Sequence, residues 1–307
     1  MIETERLARR FGNRLAVDEL TIGVDAGEIL GLLGPNGAGK TTTIRMLAGI
    51  IAPTSGTARV DGLDPTAEPE RVHERIGLLT ESPGFYERLS AKRNLEYFAR
   101  FYAGIEPSDA AERALVRMGL ADRADDRVAT FSKGMKQRLA LARTLIHEPR
   151  ILFLDEPTAG LDPEAARDLR DLIQELRRDR RTTVLCTHNL QEAEALCDRV
   201  AIFRTRLVAM GSPAELRERQ CEPTLRLRLR DASADLLASI DRTPFVRSVE
   251  RVAGEPGGIR VRLDDPEADR RRLVAMIVEA EDEIIEMVSE RPSLEAVYLR
   301  LIREEPS

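Results

Sequence analysis

Gly34-Pro35-Asn36-Gly37-Ala38-Gly39-Lys40-Thr41 fits the pattern G-x-x-x-x-G-K-[ST], and Thr42 follows it. Glycines let backbone N–H groups turn inward around phosphate oxygens, and a helix opening at the lysine adds the positive end of its dipole. Lys40 can then reach the β- and γ-phosphates of a nucleotide, while Thr41 can ligate Mg²⁺. A second group closes an apolar run: Ile151-Leu152-Phe153-Leu154 ends in Asp155-Glu156. Asp155 can hold Mg²⁺ directly or through water, and Glu156 is placed to orient or deprotonate an attacking water. The chemistry these two groups suit is transfer of a phosphoryl group to water. One compositional skew bears on it: of 47 basic residues only Lys40, Lys92, Lys133 and Lys136 are lysines. An ammonium is a compact point charge that fits a phosphate cradle where a guanidinium fork does not.

Such residues need a frame. Ile29–Leu33, Ile151–Leu154 and Thr183–Cys186 are almost continuously apolar, as strands buried on both faces are. Between them, Leu161, Ala165, Leu169, Leu172, Ile173 and Leu176 recur at helical spacing on one face. Strand and helix in alternation predict an α/β fold with a parallel sheet. Residues 90–120 read as helices broken at Gly104 and Pro107, with no sustained heptads and so no coiled-coil arm. From about residue 220 the texture changes, and Thr224-Leu225-Arg226-Leu227-Arg228-Leu229-Arg230 alternates as a half-buried strand does. The order strand, helix, strand, strand, helix, strand, then a closing helix from Ser293 suggests a ferredoxin-like α+β unit.

The 307 residues and 42% apolar content suffice for about two domains with real cores. No stretch approaches the roughly 18 uncharged apolar residues of a membrane span, and the start lacks a secretory signal, so a cytoplasmic protein is expected. Cys186, Cys197 and Cys221 have no paired spacing, which fits free thiols in a reducing compartment. Residues 220–307 carry 14 arginines against 19 acids, so the alternating Arg226, Arg228 and Arg230 read as a solvated face rather than a nucleic-acid or lipid patch.

Phe131-Ser132-Lys133-Gly134-Met135 completes a pattern. With the phosphate loop it makes residues 2 to 218 resemble the nucleotide-binding subunit of an ATP-binding cassette (ABC) transporter. The resemblance implies a P-loop cassette over 1–219, with a parallel core, antiparallel N-terminal strands and a helical insert at about 88–147. Residues 220–307 would then be an accessory domain. It also implies ATP and Mg²⁺ as ligands. Ser132, Lys133 and Gly134 stand where the family has its signature, which acts on ATP held by the second copy in a head-to-tail homodimer. Lys133 departs from the family's glycine and Met135 from its glutamine. Glu81 stands where the family has a glutamine; a carboxylate there can ligate Mg²⁺ but otherwise repels phosphate. Asp162 lies in the segment resembling the D-loop and can equally cap a helix. His188 matches the switch histidine that holds Glu156 and water, whereas His73 and His147 read as structural. Phe11 lies where the family stacks an aromatic ring on adenine, though an ordinary core phenylalanine is an equal reading. Glu81–Leu89 looks exporter-like. The expected partners are therefore membrane permease subunits on separate chains, contacted near Glu81 and the helical insert, with no nucleic acid. The expected place is the inner face of the cell membrane. An importer subunit shares every one of these residues, and a soluble cassette ATPase acting on nucleic acid or ribosomes remains the other class.

Overall fold

The computed structural model describes residues 1–220, 224–290 and 293–304; Cys221 lies outside them. The chain divides into two compact units, Met1–Pro213 and Ala214–Ser307.

The first unit is built on two sheets. Strands β1 (Ile2–Phe11), β2 (Arg14–Val24) and β4 (Ser55–Val60) form an antiparallel sheet in the order β2-β1-β4. The larger sheet runs β5 (Ile76–Leu79), β6 (Ile151–Asp155), β7 (Thr182–Thr187), β3 (Ile29–Leu33), β8 (Arg199–Arg204), β9 (Arg206–Gly211). Its first five strands are parallel and β9 is antiparallel to β8. Every residue of β3, β6 and β7 is buried, which is why these strands read as unbroken apolar runs. Leu30, Leu32, Phe153, Val184 and Phe203 join β1, β2 and β4 in one core.

Helices α1 (Lys40–Leu47), α2 (Pro69–His73), α6 (Pro163–Arg178) and α7 (Leu190–Leu196) connect these strands. Three more, α3 (Ala91–Ala99), α4 (Pro107–Arg117) and α5 (Lys133–Thr144), lie between β5 and β6. Their starts carry side-chain caps: Ser90 accepts from Arg93 N, Glu106 from Asp109 N and Ser132 from Met135 N. The segment before α3 is tied down by buried Asn94, whose side chain accepts from Tyr86 N and donates to Tyr86 O, both at 3.0 Å.

The second unit begins in α8 (Pro213–Gln220) and continues β10 (Thr224–Leu229), α9 (Ala234–Asp241), β11 (Val246–Arg251), β12 (Gly258–Leu263), α10 (Pro266–Glu279), β13 (Ile284–Glu290), α11 (Leu294–Glu304). Its four strands form an antiparallel sheet ordered β11-β12-β10-β13. Leu225, Leu227 and Leu229 enter the core with Ile259, Val261 and Leu273. On the strand's alternate positions Arg226 pairs with Glu255 at 2.6 Å and Arg228 with Glu286 at 3.7 Å; Arg230 pairs with Glu283. The arginine stripe is thus neutralised by carboxylates. Among the described residues, no helix is long and apolar enough to cross a membrane.

Candidate active site

The loop between β3 and α1 turns back on itself through Gly37 and Gly39, at φ +80° and +106°. Those values favour glycine, and space requires it too: a Cβ on Gly39 would collide with the Ala16 carbonyl, and one on Gly34 with the Phe203 carbonyl. Gly39 caps α1 without a side-chain acceptor, so the first N–H groups of the helix are left to an external one. Lys40 is buried and donates through Nζ to Gly34 O at 2.6 Å and Pro35 O at 3.3 Å. The same ammonium lies 3.5 Å from Glu156 Oε1.

Glu156 follows the end of β6 in the left-handed region, φ +50°, an arrangement that costs a non-glycine residue about 1–3 kcal/mol. Its N–H donates to Cys186 O at 2.8 Å, so the neighbouring strand end holds the turn in place. The carboxylate is thereby aimed at β7's exit, where His188 Nδ1 donates to Glu156 Oε2 at 2.8 Å and His188 N to the same oxygen at 3.4 Å. Glu156 Oε1 is buried, with no hydrogen-bond donor and the Lys40 ammonium 3.5 Å away as its charged neighbour.

Asp155 is buried beside this pair. Burial pushes its carboxyl up from the ordinary range; the Thr41 hydroxyl opposes that by hydrogen bonding, the charges of Glu156 and Glu81 add to it, and Lys40 lowers it. Its Oδ1 is buried without a partner. An orphaned carboxylate oxygen, a hydroxyl and a second carboxylate at one place are the hard oxygen donors that Mg²⁺ takes. The residues present therefore fit that ion, and Thr41, Asp155 and Glu81 could hold it.

Phe11, Pro35, Asn36, Gly37, Ala38, Gly39, Lys40, Thr41, Thr42, Glu81, Glu156 and His188 line one cavity of about 470 Å³. Its size lies within the usual range for small-molecule sites. Phe11 is 46% exposed and not a core residue; the Arg9 guanidinium lies 4.6 Å over its ring. Gly34 lies beneath as the acceptor for Lys40. Ser132, Lys133, Gly134 and Asp162 do not line this cavity. Ser132 caps α5, and Asp162 caps α6 by accepting from Ala165 N at 2.8 Å. Lys133 Nζ instead lies against Gly160, and Gly134 sits where a Cβ would press on Ala165. Arg14 and Ala16 also line the cavity and were missed by motif reading. The signal was there: Gly12-Asn13 is a two-residue hairpin turn, which places residue 14 opposite Phe11.

A strand, a phosphate loop and an acidic strand end facing it define a P-loop nucleoside triphosphatase. Residues 17–159 match the ABC transporter family. The daunorubicin/doxorubicin resistance ATP-binding protein DrrA of Streptomyces peucetius is 36% identical over 98% of this chain and 92% of its own length. The bacitracin transport ATP-binding protein BcrA of Bacillus licheniformis is 44% identical over 66% of each chain. A solved ATP-binding subunit of an ABC transporter superposes with a TM-score of 0.64 at 31% identity, covering 71% of this chain and 92% of that one. The chain belongs to the ABC transporter family as an ATP-binding, ATP-hydrolysing subunit.

Proposed function

We propose that this chain drives export through a separate membrane permease, converting ATP binding and hydrolysis into the permease's change of state. The observation that carries this reading is the identity to the drug-resistance protein DrrA along 98% of the chain, the second unit included. In this reading Phe11 stacks on adenine and the Gly34–Thr42 loop wraps the phosphates. Lys40 exchanges its carbonyl partners for phosphate oxygens, which are stronger acceptors. Mg²⁺, when held by Thr41, Asp155 and Glu81, supplies charge neutralisation on the phosphates. Glu156 accepts a proton from the attacking water through Oε1 while His188 fixes its other oxygen, so that orientation is settled before reaction.

Ser132, Lys133, Gly134 and Asp162 act on the nucleotide of a second copy, which makes a head-to-tail homodimer the working unit. Two bound ATP molecules favour the closed dimer, and hydrolysis releases it. The permease contacts the segment after Glu81 and the groove of about 650 Å³ lined by Phe98, Phe101, Tyr102, Arg143 and His147. Arg143 builds this surface: it donates to Gly84 O at 2.6 Å, and its guanidinium lies 4.9 Å from the ring of Phe85 and 4.7 Å from that of Phe98. The protein is then cytoplasmic and held at the membrane through its permease. Residues 1–219 form the cassette, with residues 220–307 as a ferredoxin-like accessory domain.

Purification of the tagged chain from detergent-solubilised membranes of its host tests this. A multi-span membrane protein recovered in stoichiometric amount is the expected result. Recovery with ribosomes or DNA, and no membrane protein, would move the function to the soluble cassette ATPases.

A further inference from the structure

We propose that Arg14 is a further nucleotide-binding residue, its guanidinium taking the phosphate chain of a nucleoside di- or triphosphate from the hairpin side of the cavity. This assignment rests on the nucleotide reading of that cavity.

Phe11 and Arg14 are partners across the two-residue turn Gly12-Asn13. Directly opposed residues of an antiparallel pair project to the same side of the sheet. The hairpin therefore presents an aromatic ring and a guanidinium together, and both line the cavity. The neighbouring arginines do not line the cavity: Arg9 covers the Phe11 ring and donates to Ala52 O at 2.8 Å, and Arg10 makes a 3.4 Å bond to Asn13 O. Arg14 has one hydrogen bond, from Nη2 to Gly37 O at 3.4 Å, near the limit for such a bond. Among the described residues no carboxylate pairs with it.

Its position is specific all the same. Nη2 lies 3.0 Å from where a Cβ on Gly37 would stand, so the guanidinium is packed on the phosphate loop at a residue that lacks a side chain. The cavity holds Glu81 and Glu156 against two basic side chains, Lys40 and Arg14. Lys40 is buried and satisfied by carbonyls and Glu156, whereas Arg14 is exposed and keeps most of its five donors unused. Phosphate oxygens accept charge-assisted, bidentate bonds from such a fork, which a backbone carbonyl does not. A phosphate chain reaching the loop draws Nη2 from the Gly37 carbonyl onto itself.

The test compares wild type, Arg14→Ala and Arg14→Lys, each as the full chain, for calorimetric binding of MgATP and MgADP and for adenosine binding by ligand NMR. Loss of a charge-assisted bond predicts about tenfold or weaker binding of both MgATP and MgADP in Arg14→Ala. Arg14→Lys is intermediate because the charge stays and the fork is lost. The loss falls on Kd more than on kcat, and adenosine binds as in wild type. Three results would each overturn the assignment: unaltered MgATP and MgADP affinity in both variants, adenosine weakened as much as MgATP, or a fall in kcat with Kd unchanged. The last would mean that Arg14 only shapes the loop. A wild-type chain that binds no MgATP overturns the nucleotide reading itself, and Arg14 with it.

Discussion

At the residue scale, the chemistry turns on what two adjacent carboxylates face. Asp155 has the Thr41 hydroxyl and the carboxylate of Glu81 near it, and Glu156 has Lys40 and His188, so one suits a metal and the other a proton. Glu156→Gln keeps the size of the side chain and removes its basicity. Steady-state phosphate release should fall about 10²–10⁴-fold, the usual worth of a positioned base, while ATP still binds. A variant that hydrolyses ATP at the wild-type rate would remove Glu156 from this role. Glu81→Gln tests the departure at the neighbouring position. The amide still offers an oxygen to Mg²⁺ and no longer repels phosphate, so activity should hold or rise in the same assay. Complete loss would show that the charge itself is needed.

Elements decide whether these residues meet. Asp162 has a structural task visible in this chain alone, capping a helix of 16 residues through Ala165 N. Asp162→Ala should lower stability by about 1 kcal/mol, read as a lower urea midpoint at unchanged m-value. His147 stands at the end of the helical insert, stacked on Tyr102 at 3.9 Å with Nε2 donating to Ile76 O and Nδ1 buried without a partner. Burial lowers its pKa from 6.5, the backbone bond to Ile76 opposes this and Arg181 adds to it. The folded state thus binds this proton less readily than the unfolded state. The stability it contributes is present above about pH 6.5 and is lost as the pH falls through its lowered folded value. Urea midpoints should drop from about pH 7 to about pH 5, and drop less in His147→Gln. These elements were unevenly legible. The apolar runs of β3, β6 and β7 announce themselves because burial on both faces removes every polar position. β4 and β9 hide, since Ser55-Gly56-Thr57-Ala58-Arg59-Val60 is mostly exposed and carries no pattern to read. The phosphate loop was legible because glycines, lysine and threonine act locally. Arg14 was legible only as Phe11's partner across the Gly12-Asn13 turn; its contact with the loop, 23 residues away, was not.

Across the whole molecule, the cavity of one chain is an incomplete enclosure for ATP. It gathers phosphate donors, metal ligands and base, yet Ser132, Lys133 and Gly134 at the start of α5 contribute nothing to its lining. The N-terminus of a helix, with a lysine added, favours an anion, and on the reading proposed above that anion belongs to the second copy. A second copy turned head to tail would bring each α5 start to the other's nucleotide, and the two sites would close together. In that arrangement closure would depend on ATP at the joint and hydrolysis would weaken it, so a wild-type dimer would be short-lived. Slowing the chemical step separates the two effects. Sedimentation velocity should show Glu156→Gln shifting from monomer to dimer when MgATP is added and remaining monomeric with MgADP. Replacing Ser132 by a bulky Phe in that background should abolish the shift without removing nucleotide binding, because the loss falls on the partner's site. A Glu156→Gln chain that binds MgATP and stays monomeric at high protein concentration would leave α5's start without a nucleotide to meet, and the head-to-tail arrangement would fail with it.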